Sequence, residues 1–356
     1  LTTLDINVAG GTGAIEVEDI GAGSSTFGVT GATRIGHTTT GNLTLDGTVY
    51  NTGTANYQAK STKKILITGA SPTFRGDSAN SDTIAFETAP VNISNGTFSV
   101  ITQGENITFD GAIASTDSGA NEVVTLTSGT SAGTVTVKAI GASSQIGEVN
   151  LEGATVSLGG NITTNAAGGV VVTGAATLAA NTTITTSTGN GVVTFTSTID
   201  GGKELDIVSG GSGAVNIGDA IGGSTALTTL DINVGGGTGT IEVEDIGAGS
   251  TTFGVTGATN IGHTTTGNLT LDGTVYNTGT VSYQAKSDKK ILITGSSPTF
   301  RGDGATSDTI SFETAAVDIS DGTFSVITQG ENITFDGAIA STNSTGDEVV
   351  DLTTGG

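Results

Sequence analysis

The stretch LTTLDINV, residues Leu1–Val8, returns letter for letter as Leu227–Val234. The match then runs to the end of the chain, because residues 1–130 align with 227–356 at a constant offset of 226, without insertion or deletion. Self-similarity at a fixed period is typical of repeat architectures. We therefore predict one full repeat unit over 1–226 and a partial second copy over 227–356, joined as a continuous solenoid without linkers. We expect the chain to be a window of a longer array.

Within each copy, short runs alternate apolar and polar residues. In the opening stretch the alternation puts Leu4, Ile6 and Val8 on one face and the polar residues between them on the other. Gly, Asn, Asp and Ser separate the runs, and apolar residues never keep helical spacing for more than a turn. We predict an all-β fold, a right-handed parallel β-helix (β-solenoid) with Gly-rich turns, coils of about 20–25 residues and essentially no α-helix. The predicted inward residues are Leu4, Ile6, Val8, Val17 and Phe109, with their equivalents in the second copy.

Two segments carry a family resemblance. They are Ile221–Val234 (IGGSTALTTLDINV) and Val170–Gly202 (VVVTGAATLAANTTITTSTGNGVVTFTSTIDGG). Both resemble the β-strand repeats of giant bacterial surface proteins, namely filamentous-haemagglutinin-like and autotransporter-passenger-like β-helix adhesins. The resemblance covers most of the chain and is best over 160–240. It implies secretion, a right-handed parallel β-helix and an adhesive or matrix role, so we expect an extracellular or cell-surface location.

Composition limits the possible chemistry and partners. The chain has no Cys and no Met, which excludes disulfides, thiolate metal sites and cysteine nucleophiles. The formal net charge is −23, which makes nucleic acid and anionic membranes poor partners. No stretch indicates membrane insertion in this window.

Basic residues concentrate in one segment of each copy. Eight of the eleven Lys and Arg residues lie in 50–90 or in its repeat. We predict a wider coil here, or a loop folded against the outside, with Ile65–Ile67 covered on both faces. Isolated positive charges on an acidic chain suggest self-association with the acidic face of a neighbouring copy; the alternative is solvated loop lysines. The basic residues concerned are Lys60, Lys63, Lys64, Arg75, Lys286, Lys289, Lys290 and Arg301.

The tripeptide Arg75-Gly76-Asp77 recurs as Arg301-Gly302-Asp303. Arg-Gly-Asp is an integrin-recognition sequence when an exposed turn presents it. The alternative is an ordinary turn that was duplicated with the rest of the repeat.

Acidic residues form a second candidate cluster, and calcium is the one cofactor considered. Carboxylates supply the hard oxygens that calcium prefers, but each ion needs six to eight ligands. The sequence has neither the calcium-binding nonapeptide nor an EF-hand loop, so the alternative is a solvated acidic face. The candidate residues are Glu16, Glu18, Asp19, Glu242, Glu244 and Asp245.

Catalysis is not expected, although pectin-lyase-like enzymes share the parallel β-helix, because the carboxylates here are dispersed rather than clustered. We predict an extracellular structural repeat protein that forms a stiff fibre or filament at a bacterial cell surface, with an adhesive, matrix-forming or sheath-forming role. One alternative is a receptor- or glycan-binding adhesin whose loops recognise a host or neighbouring cell. Another is a self-assembling filament subunit.

Overall fold

The computed structural model describes residues 1–8, 13–77, 83–116, 121–187, 189–235, 238–303, 309–342 and 348–355. These residues form two compact units, 1–175 and 176–356. Both units are parallel β-solenoids, and together they have about 13 turns. This confirms the prediction of an all-β solenoid. The described residues contain no helix, and so no helix that could cross a membrane. The boundary between the units does not coincide with the end of the sequence repeat, and their continuity and handedness stay predictions.

The strands of the first unit follow in chain order. They are β1 (Leu4–Ile6), β2 (Ile15–Val17), β3 (Thr33–Gly36), β4 (Leu43–Leu45), β5 (Val49–Asn51), β6 (Ala55–Gln58), β7 (Ile65–Ile67), β8 (Thr73–Arg75), β9 (Ile84–Glu87), β10 (Val91–Ile93), β11 (Thr97–Ile101), β12 (Ile107–Phe109), β13 (Ile113–Ser115), β14 (Val123–Thr127), β15 (Thr134–Val137) and β16 (Ile146–Leu158). The next strand, β17 (Ile162–Leu178), contains the boundary between the units.

The strands of the second unit have two to seven residues. They are β18 (Thr182–Thr186), β19 (Val193–Phe195), β20 (Ile199–Asp200), β21 (Glu204–Gly210), β22 (Val215–Ile217), β23 (Thr229–Gly235), β24 (Ile241–Val243), β25 (Thr259–Ile261), β26 (Leu269–Leu271), β27 (Val275–Asn277), β28 (Val281–Gln284), β29 (Lys290–Ile293), β30 (Thr299–Arg301), β31 (Ile310–Glu313), β32 (Ala316–Ile319), β33 (Thr323–Thr328), β34 (Ile333–Phe335), β35 (Ile339–Ser341) and β36 (Val349–Thr354).

Each coil visits three walls, which we call A, B and C, and adds a strand or a single bridge to each. In the first unit wall A contains β1, β3, β6, β9, β12, β15 and the end of β16; wall B contains β2, β4, β7, β10 and β13; wall C contains β5, β8, β11, β14 and the start of β16. In the second unit wall A contains β18, β21, β23, β25, β28, β31 and β34; wall B contains β19, β22, β24, β26, β29, β32 and β35; wall C contains β20, β27, β30, β33 and β36. Neighbouring strands in every wall are parallel.

Coil length varies more than we expected. A short coil leads from Val135 to its stacked partner Val156, whereas a clearly longer one leads from Ala55 to its partner Ile84. The predicted coil length is therefore too short for several coils. The additional residues lie in the connections, because the strands keep their register.

Alternation along each strand builds the core. In β11 the burial pattern places Phe98 and Val100 inside and the residues on either side of them towards the surface. Aromatic rings stack between coils: Tyr57, Phe86 and Phe109 form a column with centroid separations of 5.0 and 4.6 Å. A second column begins with Tyr50 stacked on Phe74 at 4.3 Å. These contacts add aromatic packing to the burial of apolar surface.

The inward residues are confirmed where a coil has neighbours on both sides. Leu230 and Ile232 are buried in β23, which lies between β21 and β25. Their first-copy equivalents Leu4 and Ile6 are only half-buried, because β1 pairs with β3 alone. The number of stacked neighbours also explains the other predicted residues. Val8 and Val17, near the first coil, are half-buried, whereas their equivalents Val234 and Val243 are buried. Phe109 is buried, whereas its equivalent Phe335, on an end coil, is half-buried.

The described strands of the basic segment 50–90 belong to the walls, which contradicts the alternative of a loop folded on the outside. The other alternative, a wider coil, agrees with the long path from Ala55 to its partner Ile84. Ile65–Ile67 pairs in register with Leu43–Leu45 on one side and Val91–Ile93 on the other. Ile65 and Ile67 face the core, but Leu66 is half-buried and faces outward, so this strand is not covered on both faces. The prediction failed because a run of three apolar residues does not show which face is covered.

Side chains in the turns connect one coil to the next. Asn42 Oδ1 accepts a hydrogen bond from the backbone N–H of Lys64 at 3.1 Å, and Asn268 repeats this contact with Lys290. Asp200 Oδ1 accepts from the backbone of two residues in the following coil, at 2.9 and 2.8 Å. These bonds satisfy backbone donors that the short strands leave unpaired.

Candidate functional site

The lysines of the first copy form an exposed turn between β6 and β7. Lys60, Lys63 and Lys64 are exposed, and their side chains make no hydrogen bond or ion pair with the described residues. This turn, which we call the lysine turn, therefore carries three uncompensated positive charges on an otherwise acidic chain.

The equivalent turn of the second copy is partly neutralised. Lys286 Nζ lies 3.2 Å from Asp288 Oδ1, and Lys290 Nζ lies 3.1 Å from Asp318 Oδ1. The first copy has Thr62 and Asn92 in place of these two aspartates. The third lysine of this turn is Lys289. The two copies thus present different charge to a partner, despite nearly identical sequence.

The acidic residues do not come together as a metal-binding group. Asp19 Oδ1 accepts from the backbone N–H groups of Thr48 at 2.6 Å and Val49 at 2.9 Å. Asp245 makes the same two contacts with the following coil. Among the described residues, no three His, Asp or Glu side chains form a group that could hold a metal ion. These contacts give Asp19 and Asp245 a structural role in the turns.

The other acidic candidates lie on the surface of wall B. Glu16, Glu18 and Glu242 are exposed, whereas Glu244 is half-buried. Burial raises the pKa of Glu244, and the nearby carboxylates of Asp272, Asp245, Glu242 and Asp219 raise that pKa further. The acidic face of the second copy is thus crowded with negative charge.

The Arg-Gly-Asp tripeptides do not form exposed turns. Arg75 ends β8, and Gly76 is buried, with its N–H donating to the carbonyl of Ile101 at 3.0 Å. Arg301 and Gly302 repeat this arrangement on β30, and Asp77 and Asp303 are half-buried. The adhesive interpretation needs an exposed turn, which this geometry does not provide. The side chain of Arg75 nevertheless faces outward, because Phe74 before it points into the core.

A hairpin lies over wall C next to Arg75. We call residues 21–28, repeated as 247–254, the wall-C hairpin. Ala22 and Thr26 exchange two backbone hydrogen bonds, of 2.9 and 3.2 Å. Gly21 has φ +90°, and a Cβ on it would lie 2.3 Å from the carbonyl oxygen of Thr26, so only glycine fits there.

Asn51 of the next coil holds the hairpin from below. It is fully buried, and its Nδ2 donates to the carbonyls of Gly23 at 2.9 Å and Thr26 at 3.1 Å. In the second copy Asn277 donates to the carbonyls of Gly249 and Thr252, both at 3.0 Å. Two hydrogen bonds from a buried side chain make the hairpin a fixed part of the surface.

The space between the hairpin and the neighbouring coils is a groove, which we call the wall-C groove. In the first copy it has a volume of about 230 Å³, and in the second about 380 Å³. The first is lined by Ser24, Ser25, Phe27, Arg75, Gly76, Ile101 and Gln103. The second is lined by Ser250, Thr251, Phe253, Arg301, Gly302, Asp303, Ile327 and Gln329.

Two features distinguish this groove from the rest of the surface. Phe27 and Phe253 are half-buried, whereas the other described Phe and Tyr side chains are fully buried, apart from Phe335 on an end coil. The guanidinium of Arg75 has no hydrogen-bond or ion-pair partner among the described residues, and the same holds for Arg301. An aromatic ring outside the core thus lies beside an unpaired cation, once in each copy.

Sequence reasoning found Arg75, Gly76 and their repeats but missed Phe27, Ser24, Ser25 and Gln103. The run Phe27-Gly28-Val29 has the apolar spacing of a short strand, which predicts a core position for Phe27 rather than a surface one. The indication against a strand is that Phe27 directly follows the Gly- and Ser-rich connector 21–26, with no apolar residue two positions before it.

Comparison with protein-family models, with curated proteins and with solved structures finds no match to this chain in any of the three. The fold is consistent with β-helix repeat proteins.

Proposed function

We propose that this chain belongs to an extracellular structural repeat protein that forms a stiff β-solenoid fibre or filament at a bacterial cell surface. Its role would be adhesive, matrix-forming or sheath-forming, as in the filamentous-haemagglutinin-like proteins that it resembles in sequence. The observation that carries the proposal is the unbroken parallel pairing within each unit, in which strand after strand keeps the same register.

Two physical features support this role. Hydrogen bonds between coils run along the solenoid axis, and repeats of this kind gain stability from each neighbour, so length can grow without a new core design. The surface is acidic and free of sulfur side chains, which suits a long polymer that must stay soluble and resist oxidation. We propose no catalytic role.

Immunogold electron microscopy of native bacterial cells, with an antibody raised against this chain, tests the proposal. Labelled filaments or a labelled sheath outside the cell envelope are the expected result. Label confined to the cell interior would contradict it.

Self-association between fibres is proposed as part of this function. The lysine turn of the first copy has three exposed positive charges, and the acidic face of wall B contains exposed carboxylates such as Glu16 and Glu242. Individual surface pairs contribute little, but a polymer repeats them along its length.

Light scattering of the purified chain against salt concentration tests this association. We expect association at low salt that dissociates as salt rises, because the Debye length falls from about 30 Å at 0.01 M to about 3 Å at 1 M. Replacing Lys60, Lys63 and Lys64 with Gln should weaken it. The matched control replaces Lys286, Lys289 and Lys290, two of which already have acidic partners. Association that is indifferent to salt would exclude the electrostatic mechanism.

The second proposed function is a receptor- or glycan-binding adhesin in which surface loops carry the affinity. The wall-C groove favours it, since a held loop and an unpaired arginine recur in both copies. Binding of a non-associating chain to the surface of other cells would support this function. A chain that assembles with itself but binds no cell would favour the purely structural role.

A further inference from the structure

We propose that each wall-C groove binds one pyranose unit of a glycan, with the sugar ring packed on Phe27 or Phe253 and its hydroxyls contacted by Arg75 or Arg301 and by Gln103 or Gln329. The biological setting of this inference rests on the adhesin alternative above, whereas the binding itself stands or falls independently. The ligand class follows from the shape, the side chains and the rigidity of the groove.

The aromatic ring supplies the apolar surface. Phe27 is left half-exposed in a fold that buries nearly every other aromatic ring, and Ile101 lies in the same groove with its side chain outward on β11. Leaving apolar surface in water forgoes about 25 cal/mol per Å² that burial would give. A pyranose ring has a flat face of C–H groups that can pack on such a ring by dispersion, while its edge remains polar.

The polar groups around Phe27 match a ring of hydroxyls. Arg75 offers up to five N–H donors in a fixed plane and has no partner among the described residues. The Gln103 amide and the Ser24 and Ser25 hydroxyls can both donate and accept. An acidic peptide side chain would use the arginine alone and leave these neutral groups and the phenyl face without a role. A sugar uses all of them.

The groove is also fixed before a ligand arrives. The hairpin side is held by Asn51, and the opposite side by the turn after β11, where Thr102 Oγ1 donates to the Glu105 carbonyl at 2.7 Å and Glu105 Oε2 accepts from the Gln103 N–H at 2.9 Å. Thr328, Gln329 and Glu331 repeat this turn in the second copy. A preorganised site loses less conformational entropy on binding.

Size limits the ligand to a small unit. The first groove, of about 230 Å³, is smaller than the sites of drug-sized molecules, which span about 300–1,000 Å³, and the second, of about 380 Å³, lies near the lower end of that range. The two grooves offer the same side-chain groups to a ligand. Thr251 stands where the first copy has Ser25, and the other paired lining residues are identical. Because every period carries a groove, weak binding at each is multiplied along an array.

Saturation-transfer NMR on the intact 356-residue chain tests the inference. The probes are methyl galactoside, methyl glucoside, methyl glucuronide and N-acetylneuraminic acid, with the acyclic polyol sorbitol as ligand control. We expect transfer to at least one pyranose and none to sorbitol. If the two acidic sugars bind more tightly, the sugar carboxylate contacts the arginine. If the neutral sugars bind as tightly or more tightly, sugar hydroxyls contact the arginine.

Three double variants are compared with the wild type: Phe27→Ala with Phe253→Ala, Arg75→Ala with Arg301→Ala, and Gln103→Ala with Gln329→Ala. Each should weaken binding at least about tenfold, which corresponds to about 1.4 kcal/mol. Arg34→Asn is the matched control, because the second copy already has Asn260 there and Arg34 lies outside the groove. It should bind as the wild type does. Circular dichroism checks that each variant is folded. If the phenylalanine variant unfolds, the glutamine variant still tests the groove, because both glutamine side chains are exposed.

The inference is overturned if no pyranose receives transfer, if sorbitol receives as much, or if folded groove variants bind as the wild type does. Failure of the proposed surface role is a separate result. Suppose that the immunogold label lies inside the cell and that the purified chain binds a sugar. This result would exclude the surface role and would still support the groove as a sugar-binding site.

Discussion

Asn51 and Arg75 are paired neighbours on adjacent parallel strands of wall C, yet one is fully buried and the other faces solvent without a partner among the described residues. The hairpin of the preceding coil covers the first and stops short of the second. The same contrast recurs between Asn277 and Arg301. The edge of the hairpin therefore creates the groove, and the hydrogen bonds of Asn51 determine where that edge lies.

The first prediction concerns this anchor. Asn51→Ala removes two hydrogen bonds to the hairpin and should destabilise residues 21–28 locally by about 1–3 kcal/mol. Hydrogen exchange of the Ala22 and Thr26 amides should then accelerate about 10- to 100-fold. The hairpin over 247–254 is the control within the same molecule and should not change. Equal acceleration in both hairpins would indicate general loosening and contradict a local role for Asn51.

The second prediction separates core aromatics from the groove aromatic. Phe86 is stacked between Tyr57 and Phe109, so Phe86→Ala should lower the free energy of unfolding by about 3–5 kcal/mol. Phe27→Ala should cost no more than about 1 kcal/mol, because its side chain is half-exposed. Urea denaturation measures both values. A similar loss for the two variants would mean that Phe27 is a structural residue.

The third prediction uses one substitution at two equivalent positions. Ile232→Asp places a carboxylate in a fully buried site between two coils and should cost about 4 kcal/mol or more. Ile6→Asp changes the same position of the repeat on a coil with one neighbour, and should cost about 1 kcal/mol. Limited proteolysis together with urea denaturation compares them. If the two variants lose equal stability, stacking on both sides is not what buries the residue.

The fourth prediction is a pH dependence with a defined sign. Burial, followed by neighbouring carboxylates, raises the pKa of both Asp206 and Glu244 in the folded state. A raised pKa means that the folded chain binds protons more tightly than the unfolded chain. The stability that these groups contribute is therefore complete below their ordinary values, 3.8 and 4.5, and is lost as pH rises through the folded-state values.

Melting temperature measured from pH 7 down to pH 4.5 checks this dependence. Glu244→Gln should flatten the rise in stability that the wild type shows on acidification. Asp288→Asn is the control, because a hydrogen bond from Lys286 lowers the pKa of Asp288 below its ordinary 3.8. Asp288 therefore stays charged over this whole interval, and its substitution should leave the slope of stability against pH unchanged. A wild type that loses stability steadily over this interval, with Glu244→Gln following it, would disprove the assignment.

The sequence was sufficient for the fold because its main determinants are local. Alternation at period two identifies which residues of a strand face inward, and the duplication supplied a second test of each position, as with Leu4 and Leu230. Register could not be predicted, since coils of unequal length look alike in a chain punctuated everywhere by glycine. The half-burial of Ile6 depended on a missing neighbour, which is not a property of the residue itself.

The groove was beyond sequence reasoning for a related reason. Phe27, Arg75 and Gln103 belong to three stretches of the chain that meet only when successive coils stack. Nothing in the separation of Phe27 and Arg75 along the chain predicts proximity until the intervening coil is known. The lysine turn was different, because Asp288 and Asp318 can be seen as charge changes between the copies before any geometry is known.

The turn side chains that bond to the following coil have an evolutionary consequence. Asn42 is matched to the turn that contains Lys64, and Asp200 to the turn that contains Ser224 and Thr225. If a single coil were moved or deleted, its turn would lie against a turn with a different sequence. The backbone N–H groups of that turn would then lose their hydrogen-bond acceptors. We therefore expect such a gene to lengthen and shorten by recombination in whole blocks, so that alleles differ in block number while the order of coils inside a block is preserved.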